Sequence, residues 1–369
     1  MACSTNMRRR CVQALHPMNE SDYLRRALEL AKKSLGRTRP NPAVGAVVVK
    51  GGKIIGEGRH KKAGGDHAEV AAIKDAIKKS GPASLKGASI YVTLEPCSSR
   101  GKVGACTDAI ASSGISNVVY AVADPNPRMR GKARRVLARH SISCKSASEI
   151  AKKISSNCGE KRRLEECVRE AENIITPFAK HITTGLPYVI VKIAMSLDGK
   201  ICDHAGNAKW ISSQRSRNMT GRMRGYVDAI MVGGQTVRSD NPSLLCHQKK
   251  HDSLIRVVVS RSGDLPKKAQ IFTDGAPNKT LVFDDAVKAI KELGKAGITS
   301  VLCEGGLDLA RSLAQEGLVD EWHTILSPIV IGARPISKAM RFSNGACGMS
   351  DVAVGDVHAF SSASGKVFL

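Results

Sequence analysis

Four residues in the first third of the chain have the types and the order of a catalytic metal site. His67 and Glu69 are separated by one residue, and Cys97 and Cys106 follow them. One imidazole and two thiolates would fill three corners of a tetrahedral zinc site and leave the fourth for water. Zinc acidifies such a water, and Glu69 would carry its proton to a leaving group. The pattern therefore predicts one Zn²⁺ per chain, with Glu69 as the catalytic residue.

The order His-x-Glu, then Pro-Cys, then Cys is the signature of zinc-dependent deaminases. The interval is unusual, because eight residues separate Cys97 from Cys106 where the common signature has two. Either half alone also fits a polar helix start or buried cysteines without a metal. The two halves together, with a strand predicted between them, favour the metal site.

Composition bounds the class of protein. The chain has 369 residues, enough for two domains of ordinary size. Its hydrophobic content of 42% suits a globular protein, and no apolar run reaches the roughly 18 residues of a membrane span. The odd count of 11 cysteines indicates a reducing compartment rather than a disulfide framework. We therefore expect a cytoplasmic protein with no membrane partner.

The net charge of +24 is compatible with two classes of binding partner. A positive field favours nucleic acid, and it equally favours a phosphorylated small substrate and an anionic cofactor. The basic residues are spread along the chain, and aromatic residues make up only 4%, so stacking platforms are scarce. We expect no nucleic-acid partner. Residues 1–18 form a basic tail, which fits a short targeting peptide or a bacterial N-terminus without a role.

Hydrophobic periodicity predicts alternating strands and helices in both halves, which indicates an α/β layer structure. In the first half we predict helices at 19–33, 67–79 and 106–113, and strands at 46–49, 53–57, 89–94 and 118–122. A charged helical stretch at 149–173 follows. In the second half we predict strands at 188–194, 227–232, 255–260, 279–283, 299–303 and 322–326, with helices at 285–294 and 307–315.

Two glycine pairs follow predicted strands in the second half. Gly233-Gly234 comes after one strand, and Glu304-Gly305-Gly306 lies between another strand and a helix. Such a junction lets backbone amides approach a phosphate at a helix N-terminus. It also fits a plain tight turn, and it is not the dinucleotide-binding G-x-G-x-x-G fingerprint.

The order and spacing of several motifs resemble a known family. In the first half these motifs are Pro40-Asn41-Pro42-Ala43-Val44-Gly45, Gly58-Arg59-His60, His67-Ala68-Glu69, Thr93-Leu94-Glu95-Pro96-Cys97 and Asp124-Pro125-Asn126-Pro127. In the second half they are Ser196-Leu197-Asp198-Gly199-Lys200, Trp210-Ile211-Ser212, Asp240-Asn241-Pro242 and Glu304-Gly305-Gly306. From about residue 19 to its end the chain resembles the bifunctional deaminase–reductases of riboflavin biosynthesis, and the long cysteine interval is similar to that family's zinc loop.

The resemblance implies a cytidine-deaminase-like three-layer domain at 19–170, a linker at 171–186 and a dihydrofolate-reductase-like domain at 187–369. The first domain would deaminate a phosphorylated pyrimidine, 2,5-diamino-6-(phosphoribosylamino)pyrimidin-4-one. The second would use NADPH to reduce the ribosyl group to a ribityl chain. The implied cofactors are Zn²⁺ and NADPH, the implied partner is a small molecule, and we expect a homo-oligomer.

Further site residues are implied by the resemblance alone. Substrate contacts of the deaminase are Asn41, His60, Lys102, Asp124 and Asn126. Substrate-side residues of the reductase are Lys192, Arg224, Leu244 and Glu304. Cofactor-side residues are Ala194, Trp210, Thr236, Asp240 and the backbone from Gly306 onward.

The chain departs from the family pattern at a few positions. Ser99 stands where the family has a substrate-contacting His, and Ala208 and His247 replace a usual Ser and a usual Arg. The customary Asp-Ser after the fourth strand is Ser260-Arg261, where Arg261 could meet a cofactor phosphate. Three readings therefore stay open: the bifunctional enzyme, a deaminase with a decayed reductase half, and a nucleic-acid deaminase.

Overall fold

The computed structural model describes residues 18–99, 104–155, 158–203, 211–246, 254–275 and 280–331, and two further strands at 357–362 and 367–368. The described elements form two sheets, one in each half of the chain. Within these described ranges, no helix is both long and apolar enough to cross a membrane.

The first sheet has five strands in the order β2-β1-β3-β4-β5. They are β1 (Gly45–Lys50), β2 (Lys53–Arg59), β3 (Ser89–Leu94), β4 (Asn117–Val122) and β5 (Ser143–Ser146). The strands β3, β4 and β5 run parallel, whereas β1 is antiparallel to both its neighbours. The carboxyl ends of the parallel strands therefore meet at one edge, where ligand sites of α/β sheets usually lie.

Helices cover both faces of this sheet and complete a three-layer domain. The helices are α1 (Glu20–Lys32), α2 (Ala68–Ser80), α3 (Cys106–Ser113), α4 (Lys132–Ala138), α5 (Ala147–Lys153) and α6 (Cys158–Thr184), with a short 3-10 turn at Pro82–Leu85. The helices α2, α3 and α4 pack on one face, and α1, α5 and α6 pack on the other. Alternate residues of β1 divide between the two cores, Val48 on one side and Val47 on the other, as the pleat requires.

Glycines on β2 allow α2 to lie directly against the sheet. A β-carbon at Gly58 would come within 2.2 Å of the Ala68 carbonyl oxygen, and one at Gly56 within 2.4 Å of the Ala72 carbonyl oxygen. Such distances are too short for any side chain, so these two positions must be glycine for the helix to sit where it does. The contact fixes the start of α2, which carries His67 and Glu69.

The second sheet has eight strands in the order β13-β12-β11-β6-β10-β7-β8-β9. They are β6 (Tyr188–Ser196), β7 (Ala229–Gly233), β8 (Ile255–Val259), β9 (Thr280–Phe283), β10 (Ser300–Cys303), β11 (Glu321–Ser327), β12 (Val357–Ser362) and β13 (Val367–Phe368). The strands from β11 to β9 in this order are parallel, and β12 and β13 add antiparallel pairs at one side.

Apolar clusters lie on both faces of the second sheet. The described helices of this half are α7 (Gln214–Met223), α8 (Gly234–Asp240), α9 (Gln270–Thr273), α10 (Ala286–Lys295) and α11 (Leu307–Gln315). The helices α10 and α11 bury Ile290, Leu293 and Leu313 against the face that carries Val191. The opposite face packs Ile230 and other residues against segments that include α8 and α9.

The helix α6 joins the two sheets. Its buried residues Leu164, Cys167, Ala171 and Ile175 belong to the cores of the first domain. Near its end, Lys180 forms an ion pair with Asp320, the residue before β11. The predicted linker at 171–186 is therefore helical as far as Thr184.

The predicted elements agree closely with the observed ones where an apolar run is bounded by proline or glycine. The strand at 89–94 and the helix at 106–113 have the observed bounds, and the helix predicted from His67 begins one residue later, at Ala68. The predicted α/β architecture, with a separate sheet in each half of the chain, is confirmed. Short elements such as α8, α9 and β5 lack a periodic signal and were not predicted.

Candidate functional site

Three ligand atoms converge at the carboxyl edge of the first sheet. His67 is the N-cap of α2, Cys97 lies three residues after β3, and Cys106 opens α3. The Nδ1 atom of His67 is 3.2 Å from Cys106 Sγ and 3.4 Å from Cys97 Sγ, and the two sulfur atoms are 3.3 Å apart. Residues separated by 39 positions in the sequence thus meet at one point, as predicted.

The donor set fits a zinc ion. Zinc–sulfur bonds of about 2.3 Å and zinc–nitrogen bonds of about 2.0 Å in a tetrahedron would separate the ligand atoms by roughly 3.5–3.8 Å. The three observed separations, 3.2–3.4 Å, are slightly shorter, so a small outward movement would accommodate the metal. Two sulfurs and one imidazole nitrogen are typical of zinc, and a fourth position is left for water.

Hydrogen bonds make one of the two thiols acidic. The pKa of Cys97 is lowered to about 4, because the Cys106 thiol and the His67 imidazole donate to its sulfur. The Cys106 backbone N–H adds a further bond of 3.4 Å to the same sulfur. The pKa of Cys106 is raised, first because its proton is held by Cys97 and then because it is buried. A metal would displace this shared proton, since only thiolates bind zinc.

Glu69 lies in the first turn of α2 and is only 4% exposed. Its pKa is raised to about 7, first because burial penalises the carboxylate and then because the Cys97 thiolate is close. A carboxyl group with such a pKa can both accept and release a proton near neutral pH. The predicted acid–base residue is thus beside the predicted metal ligands and is not one of them.

Asn41 and His60 lie beside this site and bond to each other. The His60 Nδ1 atom is 2.9 Å from the Asp66 carbonyl oxygen, which can only accept, so Nδ1 carries the proton. Its Nε2 atom then accepts from Asn41 Nδ2 at 3.1 Å. Burial lowers the pKa of His60, which keeps the ring neutral, and its edge meets the His67 ring at a centroid distance of 5.3 Å. The amide of Asn41 is therefore oriented by its neighbour.

Asp124 and Asn126 follow β4 at the same edge of the sheet. The Asp124 carboxylate accepts from the Asn126 backbone N–H at 2.8 Å, and the Asn126 side chain accepts from the Arg128 backbone N–H at 3.0 Å. The pKa of Asp124 is raised mainly by burial, and the negative charges of Glu95 and Cys97 contribute. These two predicted substrate residues are thus held in consecutive turns close to the metal ligands.

Glu95 belongs to one of the motifs, but no role was predicted for it. It is 3% exposed, and its carboxylate accepts from the backbone N–H groups of Asp124, Gly131 and Ala133 at 3.0–3.2 Å. A buried carboxylate with three such partners fixes the loop between β4 and α4. An acid at the end of an apolar strand, two residues before a metal ligand, was the available signal.

In the second domain, Arg224 and Glu304 form a two-point ion pair. The Arg224 Nε and NH2 atoms donate to the two Glu304 oxygens at 2.6 and 2.8 Å, and both side chains are largely buried. Lys192 of β6 lies close enough to interact with both charges. Burial lowers the pKa of Lys192, and Arg224 lowers it further while Glu304 opposes the change. Three predicted substrate-side residues are therefore brought together.

Leu244 is the fourth predicted substrate-side residue. It is 3% exposed and has a positive φ of 55°, which is rare for a leucine. The next carbonyl, that of Leu245, accepts from Arg224 NH1 at 3.1 Å. Leu244 is thus linked through one residue to the Arg224–Glu304 pair.

The predicted cofactor-side residues that the structure describes lie at the carboxyl ends of β6 and β10 or in α8, which follows β7. Gly233 ends β7 and Gly234 begins α8, while Gly306 is the N-cap of α11. A β-carbon at Gly305 or Gly306 would lie 3.6–3.7 Å from Thr236 Oγ1, so the two glycine junctions are adjacent. Ala194 lies near the end of β6, and the exposed Asp240 ends α8.

Some predicted positions lie outside the described residues. These are Lys102 of the deaminase, Trp210 of the reductase, and the departures Ala208 and His247. Ser260 is described: it is buried, and its Oγ atom would lie 2.6 Å from a β-carbon at Gly234. The following residue, Arg261, is exposed at the carboxyl end of β8.

Comparison with protein families divides the chain in the same way. Residues 17–122 match the family model described as cytidine and deoxycytidylate deaminase zinc-binding region. Residues 187–355 match the family model described as RibD C-terminal domain. The first match contains the His67, Cys97 and Cys106 cluster, and the second contains the Arg224–Glu304 pair.

Curated relatives align with nearly the whole chain. The riboflavin biosynthesis protein RibD of Bacillus amyloliquefaciens is 36% identical over 343 residues, which are 85% of this chain and 85% of the relative. The protein of the same name from Escherichia coli is 31% identical over 351 residues, 86% of this chain and 89% of the relative. Both halves are therefore matched together, in one order, by single proteins.

Solved structures agree with the sequence matches. A diaminohydroxyphosphoribosylaminopyrimidine deaminase/5-amino-6-(5-phosphoribosylamino)uracil reductase from Thermotoga maritima superimposes with a TM-score of 0.73 at 35% identity, covering 85% of this chain and 88% of that one. Acinetobacter baumannii RibD gives a TM-score of 0.72 at 30% identity, with 88% and 91% coverage. Fold, site and matches agree, and the chain belongs to the RibD family of riboflavin biosynthesis, in which a zinc-dependent deaminase and an NADPH-dependent reductase share one polypeptide.

Proposed function

We propose that this chain catalyses two consecutive reactions on one phosphorylated pyrimidine. The first is hydrolytic deamination of 2,5-diamino-6-(phosphoribosylamino)pyrimidin-4-one, which releases ammonia. The second is reduction of the ribosyl group of that product to a ribityl chain by NADPH. The substrates are those in the name of the Thermotoga maritima relative, which is 35% identical to this chain.

The observation that carries the proposal is the buried Glu69 carboxyl beside the His67, Cys97 and Cys106 ligand atoms. Zinc, when held by these three residues, supplies a Lewis acid that brings the pKa of a bound water close to neutral. Glu69 accepts a proton as the water oxygen attacks the ring carbon, and returns a proton to the departing amino group. Glu69 is buried beside the three ligand atoms, so one carboxyl group can serve both transfers.

Other residues of the first domain hold the pyrimidine. Because the Asn41 Nδ2 atom donates to His60, the Asn41 carbonyl oxygen remains to accept from an amino or ring N–H group of the substrate. Asp124 and Asn126 present polar groups from the loop anchored on Glu95. Lys102 would add a charge suited to the phosphate. Ser99, in place of a His, removes one contact.

The second domain holds the product of deamination for reduction. NADPH, when bound, supplies the hydride, and the protein supplies position and charge. Hydride addition to the carbon that joins ribose to the amine would break the bond from that carbon to the ring oxygen, and the oxygen would take up a proton from water. Lys192, Arg224, Leu244 and Glu304 form the substrate side of this site. Ala194, Trp210, Thr236, Asp240 and Gly306 form the cofactor side.

A deaminase with a decayed reductase half is the second candidate, and specific substitutions favour it. Ala208 and His247 each remove a polar contact of the family pattern. One lost contact of this kind costs about 1–3 kcal/mol if the partner is left buried, which weakens binding by one to two orders of magnitude. The intact Arg224–Glu304 pair and glycine junctions support a working reductase with weakened substrate binding.

Product analysis with and without NADPH tests the proposal. Without NADPH, we expect ammonia and the ribosylamino-uracil product; with NADPH, we expect the ribitylamino product and oxidation of one NADPH per molecule reduced. Absence of ammonia release from zinc-loaded protein would contradict the deaminase. Deamination without NADPH oxidation, even at high substrate concentration, would favour the decayed-reductase alternative.

The small-molecule partner also has a direct test against nucleic acid. We propose that the net charge of +24 serves anionic substrates and cofactor rather than nucleic acid. A gel-shift titration in salt should then show only weak binding that disappears steeply as salt is raised. We further propose a cytoplasmic homo-oligomer, which light scattering of the purified full chain would test by its mass.

A further inference from the structure

The loop that follows α8 is held in an unfavourable backbone conformation. Two of its residues that are not glycine have positive φ, Asn241 at 43° and Leu244 at 55°. Asparagine tolerates this region well, but leucine does so at a cost because its β-carbon crowds the backbone. Such a conformation persists only where the surroundings impose it.

Among the described residues, Gln270, Arg224 and Arg256 each donate a hydrogen bond to the loop from outside it. The Gln270 backbone N–H donates to Asn241 Oδ1 at 2.7 Å, and Arg224 NH1 donates to the Leu245 carbonyl at 3.1 Å. The third bond is from Arg256 NH1 to the Ser243 carbonyl, at 3.0 Å. The carbonyl groups on both sides of Leu244 are therefore each held by an arginine.

Arg256 is itself fixed by a buried charge. It belongs to β8 and is 3% exposed, and its NH1 atom lies 2.5 Å from Asp274 Oδ2. Asp274 directly follows α9, the short helix that begins at Gln270. One small element therefore acts on the loop at two points, through the Gln270 backbone and through the Asp274–Arg256 pair.

We infer that Arg256 and Asp274 are positioning residues of the reductase, which hold Leu244 in its left-handed conformation beside the substrate. The inference rests on the proposed function in one respect, the assignment of Leu244 to the substrate side. Arg224 holds the other side of Leu244 and also binds Glu304, so the loop is tied to that pair. Loss of the Arg256 bond would release the Ser243 carbonyl, one of the two carbonyls that hold Leu244, whereas the glycine junctions at Gly233 and Gly306 belong to other segments.

The test removes the pair without leaving a lone buried charge. We would compare the double variant Arg256→Met/Asp274→Leu with Val257→Ala in the full-length, zinc-loaded protein. Val257 is the next residue on β8, is fully buried, and packs in the apolar cluster on the opposite face of the sheet, so it controls for lost stability. Deamination by the same protein is an internal control for folding of the first domain.

We expect the KM of the double variant for the ribosylamino-uracil substrate to rise at least about tenfold, since small displacements of positioning groups have such effects. The KM for NADPH and the rate of deamination should change less than about twofold on the same reasoning. Amide hydrogen exchange at Leu244, Leu245 and Cys246 should be faster than in wild type. Val257→Ala should change neither the KM values nor this exchange.

An unchanged substrate KM, or equal rises in both KM values, would overturn the inference, as would unchanged exchange in the loop. If the double variant does not fold, Arg256→Lys serves in its place. It keeps a cation beside Asp274, but a single ammonium group must then bond to both the Ser243 carbonyl and the Asp274 carboxylate. Its substrate KM should lie between wild type and the tenfold rise; a wild-type value would overturn the inference. If the wild-type protein does not reduce the substrate at all, the proposed function fails. The exchange measurement still tests whether Arg256 and Asp274 hold the loop around Leu244.

Discussion

The deaminase site and the reductase site lie at corresponding edges of two sheets but are built in different ways. In the first, side chains supply the chemistry: three ligand atoms within 4.8 Å of one another and a buried carboxyl group. In the proposed reductase site the cofactor would bring the chemistry. The protein would offer an ion pair, a lysine and glycine junctions at which a phosphate can approach the backbone. Single substitutions should therefore have larger effects on deamination than on reduction.

Removal of a zinc ligand should have the largest effect. Replacing Cys106 by Ala leaves two protein ligands, so zinc should be lost and deamination should fall at least about 10³-fold, because the metal contributes several kcal/mol to catalysis. Reduction of the deaminated intermediate should continue. Cys144→Ala is the matched control, since Cys144 is a buried cysteine of the same domain outside the ligand cluster. Full zinc content in Cys106→Ala, measured by elemental analysis, would refute the ligand assignment.

Glu69→Gln separates catalysis from metal binding. The amide keeps the shape but takes up no proton, so deamination should fall by at least about 10²-fold while zinc content stays the same. The control is Glu160→Gln, another buried carboxyl of this domain, which bonds to Ser21. That variant should lose stability but not deaminate more slowly. Near-normal ammonia release from Glu69→Gln would show that a different group moves the proton.

Lys192→Met should impair reduction and stabilise the fold. A lost hydrogen bond from a charged group costs about 1.5–3 kcal/mol, so reduction should slow roughly 10- to 100-fold. Burial lowers the pKa of Lys192 below its ordinary 10.5, so the folded protein binds this proton less tightly than the unfolded chain. The lysine therefore destabilises the fold below pH 10.5, and the variant should have the higher free energy of unfolding at pH 7.

The pH dependence of that difference provides the check. As pH rises toward 10.5 the unfolded chain also loses the proton, so the stability advantage of Lys192→Met should shrink. Denaturant titrations at several pH values would measure it. Lys288→Met, at an exposed position of α10, should show no such trend. A destabilised Lys192→Met at pH 7 would mean that its pairing with Glu304 outweighs burial.

The smallest effect is expected at Arg261. This exposed side chain follows the buried Ser260 at the end of β8, where a cofactor phosphate would pass. Exposed charge pairs contribute up to about 1 kcal/mol, so Arg261→Ala should raise the KM for NADPH no more than about fivefold. The KM for NADH, which lacks the extra phosphate, should not change. Lys291→Ala on α10 controls for the loss of a surface charge. Equal changes in the KM values for NADPH and NADH would show that Arg261 does not contact the extra phosphate of NADPH.

The same contrast explains what could be predicted from the sequence. Residues with strong chemical preferences, such as His67 and Cys106, are recognisable by type and spacing, and the structure brings them together. The bounds of β3 could be predicted because it is a short apolar run that Glu95-Pro96 ends, and those of α3 because Gly114 follows its last residue. The bounds of β3 and α3 depend on local sequence. The metal site depends on histidine and cysteine, which few other kinds of site require together.

Contacts between distant, ordinary residues could not be read in this way. Glu95 accepts from backbone groups 36 and 38 positions away, and any residue type except proline would supply an N–H group at those positions. Likewise, the sequence shows only that Arg256 is a charged residue within an apolar strand. It does not indicate that Arg256 bonds to the Ser243 carbonyl, because every residue has a backbone carbonyl. The roles of the substrate and cofactor residues, and the boundaries of the linker, stay predictions.

The continuous helix α6 has a consequence for how the two activities can diverge. At about 1.5 Å per residue, its 27 residues span roughly 40 Å, from the deaminase cores to the Lys180–Asp320 pair. An inserted residue would turn everything beyond it by about 100°, whereas seven residues restore the angle to within roughly 20°. The length of the helix thus determines the angle by which one half of the chain is rotated relative to the other about the helix axis. Length changes in 158–184 should be tolerated only in near-whole turns, so this segment would accept substitutions far more readily than insertions.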